Sequence, residues 1–234
     1  MIGIVMSGGL NNLFINDPVT FLQNNLIVHN AIEPFTSETE DPEEREFTFV
    51  ERMINGRQAK AIKRNQDGSY SEMRVVELQL YGSTMETRAG PKSKHSHPLV
   101  SHYLPYMRGR AIGVHMGNDR PFMFNHSLTG CTLALTKEGA TASVMHIADN
   151  LSAAQKDLHR QQFFGNRPVR QFVEKEYSAA AMTHVVGIYT KQHGWRFYAQ
   201  GYDTADDYSF ANSGAVIREG SDYFCYFGDK VVLV

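Results

Sequence analysis

Two side chains in this sequence could do nucleophilic chemistry together, Cys131 and His146. Cys131 stands in Ser127-Leu128-Thr129-Gly130-Cys131-Thr132-Leu133-Ala134-Leu135-Thr136. His146 stands in Thr141-Ala142-Ser143-Val144-Met145-His146-Ile147. The intervening Lys137-Glu138-Gly139-Ala140 holds a glycine, so two β-prone runs flank a turn and a hairpin is expected. With an even loop centred between Glu138 and Gly139, the thiol faces the imidazole directly, with Cβ atoms roughly 4.5–5.5 Å apart. An odd loop would put the two on opposite faces. A thiol is a weak nucleophile until it loses its proton. An adjacent imidazolium lowers its pKa, and the same imidazole can later protonate a leaving group. Gly130 allows a sharp turn beside the thiol, and backbone N–H groups around Gly130 and Cys131 would supply an oxyanion hole. The competing reading is that Cys131 is a small buried hydrophobe, cysteine being among the most buried residue types.

Other constellations are weaker. His95, His97 and His102 lack a nearby cysteine or acidic partner and read as a polar loop, so no metal site is expected. Cys225 lies in the aromatic run Tyr223-Phe224-Cys225-Tyr226-Phe227 and reads as a packed residue; a disulfide to Cys131 would remove the nucleophile. Met6-Ser7-Gly8-Gly9 matches no phosphate loop, and no Gly-x-Ser-x-Gly elbow is present. Trp195, Phe197 and Tyr198 are expected to pack a sheet rather than stack on bases. Asp149 falls on the opposite face of a strand continued past His146, so it is not chosen as a third catalytic group unless the chain bends there.

The elements that must position the pair are mostly strands. Phe47–Ile54 and Met73–Tyr81 read as strands, followed in turn by Asn55-Gly56 and preceded by Asn65-Gln66-Asp67-Gly68. Residues 37–46 form an acidic, proline-containing run expected to be an exposed loop, and 88–98 read as a long polar loop. Ser152-x-x-Gln155 is a capping box that predicts a helix to about Phe164, stopped by Gly165. A second helix is expected from Pro168 to about Tyr177. Beyond it, Thr183–Tyr189, Trp195–Ala199, Ala215–Arg218, Tyr223–Phe227 and Lys230–Val234 read as short strands separated by turns. The fold class expected is α+β: a β-sandwich core of mostly antiparallel strands with flanking helices.

Composition agrees with a globular domain. The 234 residues are 42% hydrophobic and 21% charged, with a net charge of −2. That length fits one generous domain or at most two small ones, and residues 1–234 are read as a single catalytic domain. No apolar run approaches the roughly 18–20 residues that span a bilayer, so no membrane partner is expected. The near-neutral charge gives no broad field for nucleic acid. The N-terminal Met1-Ile2-Gly3-Ile4-Val5-Met6 has no positive n-region, so no secretory signal is expected.

Leu128-Thr129-Gly130-Cys131, followed by a histidine across a strand pair, resembles the signature of the bacterial toxin glutamine deamidases. That group includes the cytotoxic necrotizing factors and the Burkholderia lethal factor type, and the latter is the nearer in size. The resemblance covers about residues 100–220, faintly outside the motif. It implies a Cys131–His146 catalytic pair, a β-sandwich with flanking helices, and no cofactor. It also implies a monomer made in the bacterial cytoplasm and delivered to a host cytosol. The substrate implied is a glutamine side chain of a host protein, the DEAD-box helicase of translation initiation or a Rho-family GTPase. The position six residues before the cysteine, a threonine that orients the histidine in the lethal factor type, is Asn125 here. Its amide oxygen could accept from the imidazole. The alternatives kept beside hydrolysis are transglutamination on the same pair and a non-catalytic β-sandwich binding module.

Overall fold

The computed structural model describes residues 9–29, 44–54, 57–64, 69–80, 97–177, 182–204 and 223–232. It is α+β, with strands in the majority. Chain contacts divide it into two compact units: Met1–Asn30, Glu46–Leu99 and Tyr202–Gly228, and Ala31–Arg45, Val100–Gly201 and Asp229–Val234.

The first unit opens with two short helices, α1 (Gly9–Asn16) and α2 (Pro18–Asn24). Asp17 caps the second by accepting from the Thr20 backbone N–H, and Pro18 takes the first turn, where no N–H is missed. Strands β1 (Asn25–His29), β2 (Glu44–Glu51), β3 (Met53–Ile54), β4 (Arg57–Gln58), β5 (Lys60–Arg64) and β6 (Tyr70–Leu80) follow. The long β6 organises them: β1 runs parallel beside it, and β2 and β5 pair with it antiparallel. Strand β15 (Tyr223–Val232) lies parallel to β5. Rings of Phe14, Phe21 and Phe49 pack with centroids 5.0–5.3 Å apart. Beside them the buried Asn11 accepts from the Phe49 N–H at 2.8 Å and donates to the His97 carbonyl at 2.8 Å.

The second unit is the sandwich. One sheet holds β7 (Leu99–Leu104), β9 (Phe122–Asn125), β13 (Met182–Thr190) and β14 (Gly194–Thr204). The other has the order β12 (Arg170–Phe172), β10 (Thr132–Glu138), β11 (Thr141–Ile147), β8 (Ala111–Met116), antiparallel throughout. Their inner faces share one core: Leu104, Met123, Val185, Trp195 and Phe197 from the first sheet meet Ile112, Leu133, Leu135, Val144 and Phe172 from the second. The alternate residues Ala134, Met145 and Ile147 point outward and are covered by Phe164 and Phe163 of α3 (Ala153–Phe164). Covering of both faces explains why β10 and β11 carry the consecutive apolar runs Leu133-Ala134-Leu135 and Val144-Met145 rather than strict alternation. Helix α3 starts on the expected box, with Ser152 Oγ accepting from the Gln155 N–H and the Gln155 side chain accepting from the Ser152 N–H. Trp195 and Phe197 are core residues, and the indole N–H donates to the Gly117 carbonyl at 3.1 Å.

Four expectations are corrected. Residues 168–177 are not one helix: Arg170–Phe172 pairs with β10 as β12, and only α4 (Glu174–Tyr177) is helical. Pairing with Leu133 carries Phe172 into the core, a gain that outweighs the helix propensity of an exposed, charged segment. Tyr223–Phe227 and Lys230–Val234 are not two strands, because β15 runs through Gly228. Glu44, Arg45 and Glu46 belong to β2, not to the acidic loop. The hairpin register differs by two residues, with consequences described below. Residues 37–43, 55–56, 65–68, 88–96 and 215–218 lie outside the described residues, as does the side chain of Cys225.

Candidate functional site

The β10–β11 turn is two residues long, Gly139-Ala140, closed by the pair Glu138↔Thr141. Gly139 sits at φ +59, and a two-residue hairpin with glycine first accounts for the position of the loop. The loop is therefore centred one residue later than expected. Leu133, not Cys131, lies opposite His146, and Cys131 sits just before β10. Because the register shift is even, the faces are unchanged. Cys131 and His146 both point to the inner face of the sandwich, as diagonal neighbours rather than a direct pair. Such diagonals are about 7–8 Å apart. Direct opposition is thus overturned, while a shared face is retained.

Both side chains are 2% exposed. No hydrogen bond joins them: neither ring nitrogen of His146 has a hydrogen-bond partner among the described residues. Burial, then the nearby His126, holds the His146 pKa down at about 3, so the ring is neutral. Burial pushes the Cys131 thiol up, and the Asp149 charge adds to it. Backbone hydrogen bonds from Asp149 and Thr129, and the Lys156 charge, act in the opposite direction. The resting pair is therefore thiol and imidazole, not the thiolate and imidazolium expected from the sequence. Neutral His146 is in the protonation state a general base needs.

Asn125 does not orient His146. It is buried, and its Oδ1 accepts from the Val185 N–H at 2.7 Å, completing the edge of the β9–β13 ladder. Leu128 is a core residue whose backbone makes a two-bond antiparallel bridge with Thr183 (2.7 and 3.1 Å). Thr129 is exposed, and its backbone reaches the thiol. Gly130 adopts φ +116, where a side chain would be strained. Its N–H, expected to serve an oxyanion, instead donates to the Tyr177 hydroxyl at 3.1 Å, and that hydroxyl donates to the Cys131 carbonyl at 2.5 Å.

The fold brings Asp149 back to the site and adds residues that the sequence did not single out. The chain does bend after β11, and the turn at Asp149-Asn150 swings Asp149 back against Gly130. A Cβ on Gly130 would stand 3.7 Å from the carboxylate. His126 lies near both His146 and His184. His184 Nε2 shares a hydrogen bond with Ser127 Oγ at 3.2 Å, and burial followed by His126 holds its pKa down at about 3. The Tyr106 ring stacks on His126 (centroids 5.9 Å) and tilts against His146 (5.4 Å). Only the turn-forming Asp149-Asn150 pair had a local signal. His126, His184, Tyr106 and Tyr177 come from four separate segments and no spacing rule links them.

Among the described residues, no group of three or more His, Cys, Asp and Glu is arranged to hold a metal ion. No helix among them is long and apolar enough to cross a membrane. No family model matches the chain, and no curated protein matches it.

Proposed function

We propose that the protein is a cysteine-dependent protein-glutamine deamidase that acts on a host protein after delivery from a bacterium. The observation that supports this reading most is the diagonal placement of Cys131 and His146 on one inner face, with both imidazole nitrogens free of hydrogen bonds. A buried histidine without partners forgoes hydrogen bonds that folding ordinarily requires. A thiol proton and a leaving amine would supply them in turn.

The neutral His146 takes the Cys131 proton, and the sulfur attacks Cδ of the glutamine. The C=O π pair moves to oxygen, which the Cys131 N–H would receive, since Tyr177 holds the Gly130 N–H. His146 returns the proton to nitrogen, the C–N bond breaks, and ammonia leaves a thioester. A water then gives a proton to His146 and its oxygen to the carbonyl, and the C–S bond breaks. Glutamate is released, and His146 reprotonates the sulfur. The raised thiol pKa makes the first transfer a real barrier, so the reaction depends on His146 as base rather than on a preformed thiolate.

The target we favour is the DEAD-box helicase of translation initiation, with Rho-family GTPases as the alternative. A new negative charge at a catalytic glutamine would stop either. The net charge of −2 suits recognition of a protein surface more than of RNA.

The test incubates the protein with both candidates and reads the small mass gain of amide-to-acid conversion by peptide mass spectrometry. Conversion that disappears with Cys131→Ser and with His146→Ala is expected. Undiminished conversion by Cys131→Ser would sink the mechanism. Added primary amine incorporated at the glutamine would make the reaction transglutamination. The 2% exposure of Cys131 favours a second reading, a non-catalytic β-sandwich binding module. Absence of conversion of any protein in a host lysate would select it.

A further inference from the structure

The segment between β7 and β8, residues 105–110, runs beside the Cys131–His146 pair. Its Tyr106 and Met107 are partly buried and pack on the core cluster that contains Cys131. The Tyr106 ring rests against His146, with centroids 5.4 Å apart, and against His126. Tyr106 is half-buried, whereas Cys131 and His146 are each 2% exposed, so it forms part of the layer between the pair and solvent. Burial, followed by the nearby Cys131 and Asp149, raises the Tyr106 phenol pKa, and Arg108 opposes it.

The segment is held by few bonds. The Gly109 N–H donates to Asn150 Oδ1 at 3.0 Å, the Arg110 N–H to the Met107 carbonyl at 3.2 Å, and the Ala148 N–H to the Arg110 carbonyl at 3.0 Å. Gly109 sits at φ +71, a conformation that glycine leaves at little cost. Arg108, Gly109 and Arg110 are exposed. A short surface turn with one side-chain tether and an aromatic plug opens locally more easily than the strands it covers.

We propose that Tyr106 is the gate of the Cys131–His146 site, its ring swinging out on the 105–110 segment to admit a glutamine side chain. The gate has a purpose only if Cys131 is the nucleophile proposed above, but its test needs no substrate and stands or falls separately. When closed, the ring excludes water from the pair, which prevents idle hydrolysis and keeps His146 neutral. The aromatic face left beside the histidines when it opens suits a flat amide group.

The test is alkylation of Cys131 in the full-length protein, read at the Cys131 peptide by mass spectrometry so that Cys225 is scored apart. Two reagents are used, iodoacetamide and a bulky aryl maleimide. Tyr106→Ala is expected to raise both rates, the bulky reagent by about tenfold or more and iodoacetamide by less. Tyr106→Phe keeps the ring and should stay near the wild-type rates. Asn150→Ala, which cuts the tether without touching the plug, should show the same size-dependent gain more weakly. It also serves if Tyr106→Ala does not fold. Equal gains for the two reagents would mean that only the thiol pKa had moved, and would overturn the gate. So would unchanged rates in both Tyr106→Ala and Asn150→Ala, or Tyr106→Phe reacting as fast as Tyr106→Ala.

Discussion

The Tyr177 hydroxyl donates to the backbone carbonyl of Cys131 at 2.5 Å. The same oxygen accepts from the Gly130 N–H, so one buried phenol fixes the backbone on both sides of the turn that carries the thiol. Its raised pKa, caused first by burial, keeps it protonated and able to donate throughout the ordinary pH range.

Tyr177→Phe should therefore cost about 1–3 kcal/mol, because it leaves a carbonyl and an N–H without their partner while the ring still fills its place against Phe172. Urea unfolding measures this. An unchanged midpoint would show that water replaces the hydroxyl.

Stability should fall as the solution is acidified. His146 and His184 are buried, and their folded pKa values are held down at about 3, below the ordinary 6.5. A depressed histidine pKa means that the unfolded chain binds the proton and the folded one does not. Stability is thus fully present above about pH 6.5 and is lost as pH falls towards 3, at about 1.4 kcal/mol per pH unit for each histidine. Burial is the larger cause of the depression at His146, and the nearby His126 adds to it. Unfolding free energies from pH 7 to 4 should show this slope, and His146→Gln should reduce it by about one proton's worth.

Asn125→Ala should act on stability and not through His146. It removes the acceptor of the buried Val185 N–H, at a cost of about 1–3 kcal/mol. The pH dependence of stability attributed to His146 should survive in this variant. A changed His146 ring-proton titration by NMR would restore the orienting role that the hydrogen bonds here deny.

Gly113→Ala tests the covering of the outer face by α3. A Cβ at Gly113 would lie 2.4 Å from the Phe163 ring, which is stacked on His115 at 4.3 Å between centroids. The ring must move, and overpacking of this kind costs about 1–3 kcal/mol. A lowered melting temperature with faster amide exchange in α3 is expected. Unchanged exchange would mean that the ring has room to rotate away.

Local sequence determined what local physics controls. The capping box at Ser152 and Gln155 starts α3 because its hydrogen bonds close within three residues. The hairpin exists because two β-prone runs flank Gly139, and the shared face of Cys131 and His146 survives because strand alternation tolerates an even shift. What the tertiary structure alone decided lies beyond such ranges. The register depended on which residues the turn would take, a difference of one position that the loop sequence leaves open. The fate of residues 170–172 depended on a free edge at β10, far away in sequence. Protonation of the pair was decided by burial between two sheets and by His126, and the occupation of the Gly130 N–H by a hydroxyl 47 residues away. Spacing names which groups could react. Packing sets their distance, their charge and whether anything can reach them, because desolvation and contact are sums over residues that come together only in the folded chain.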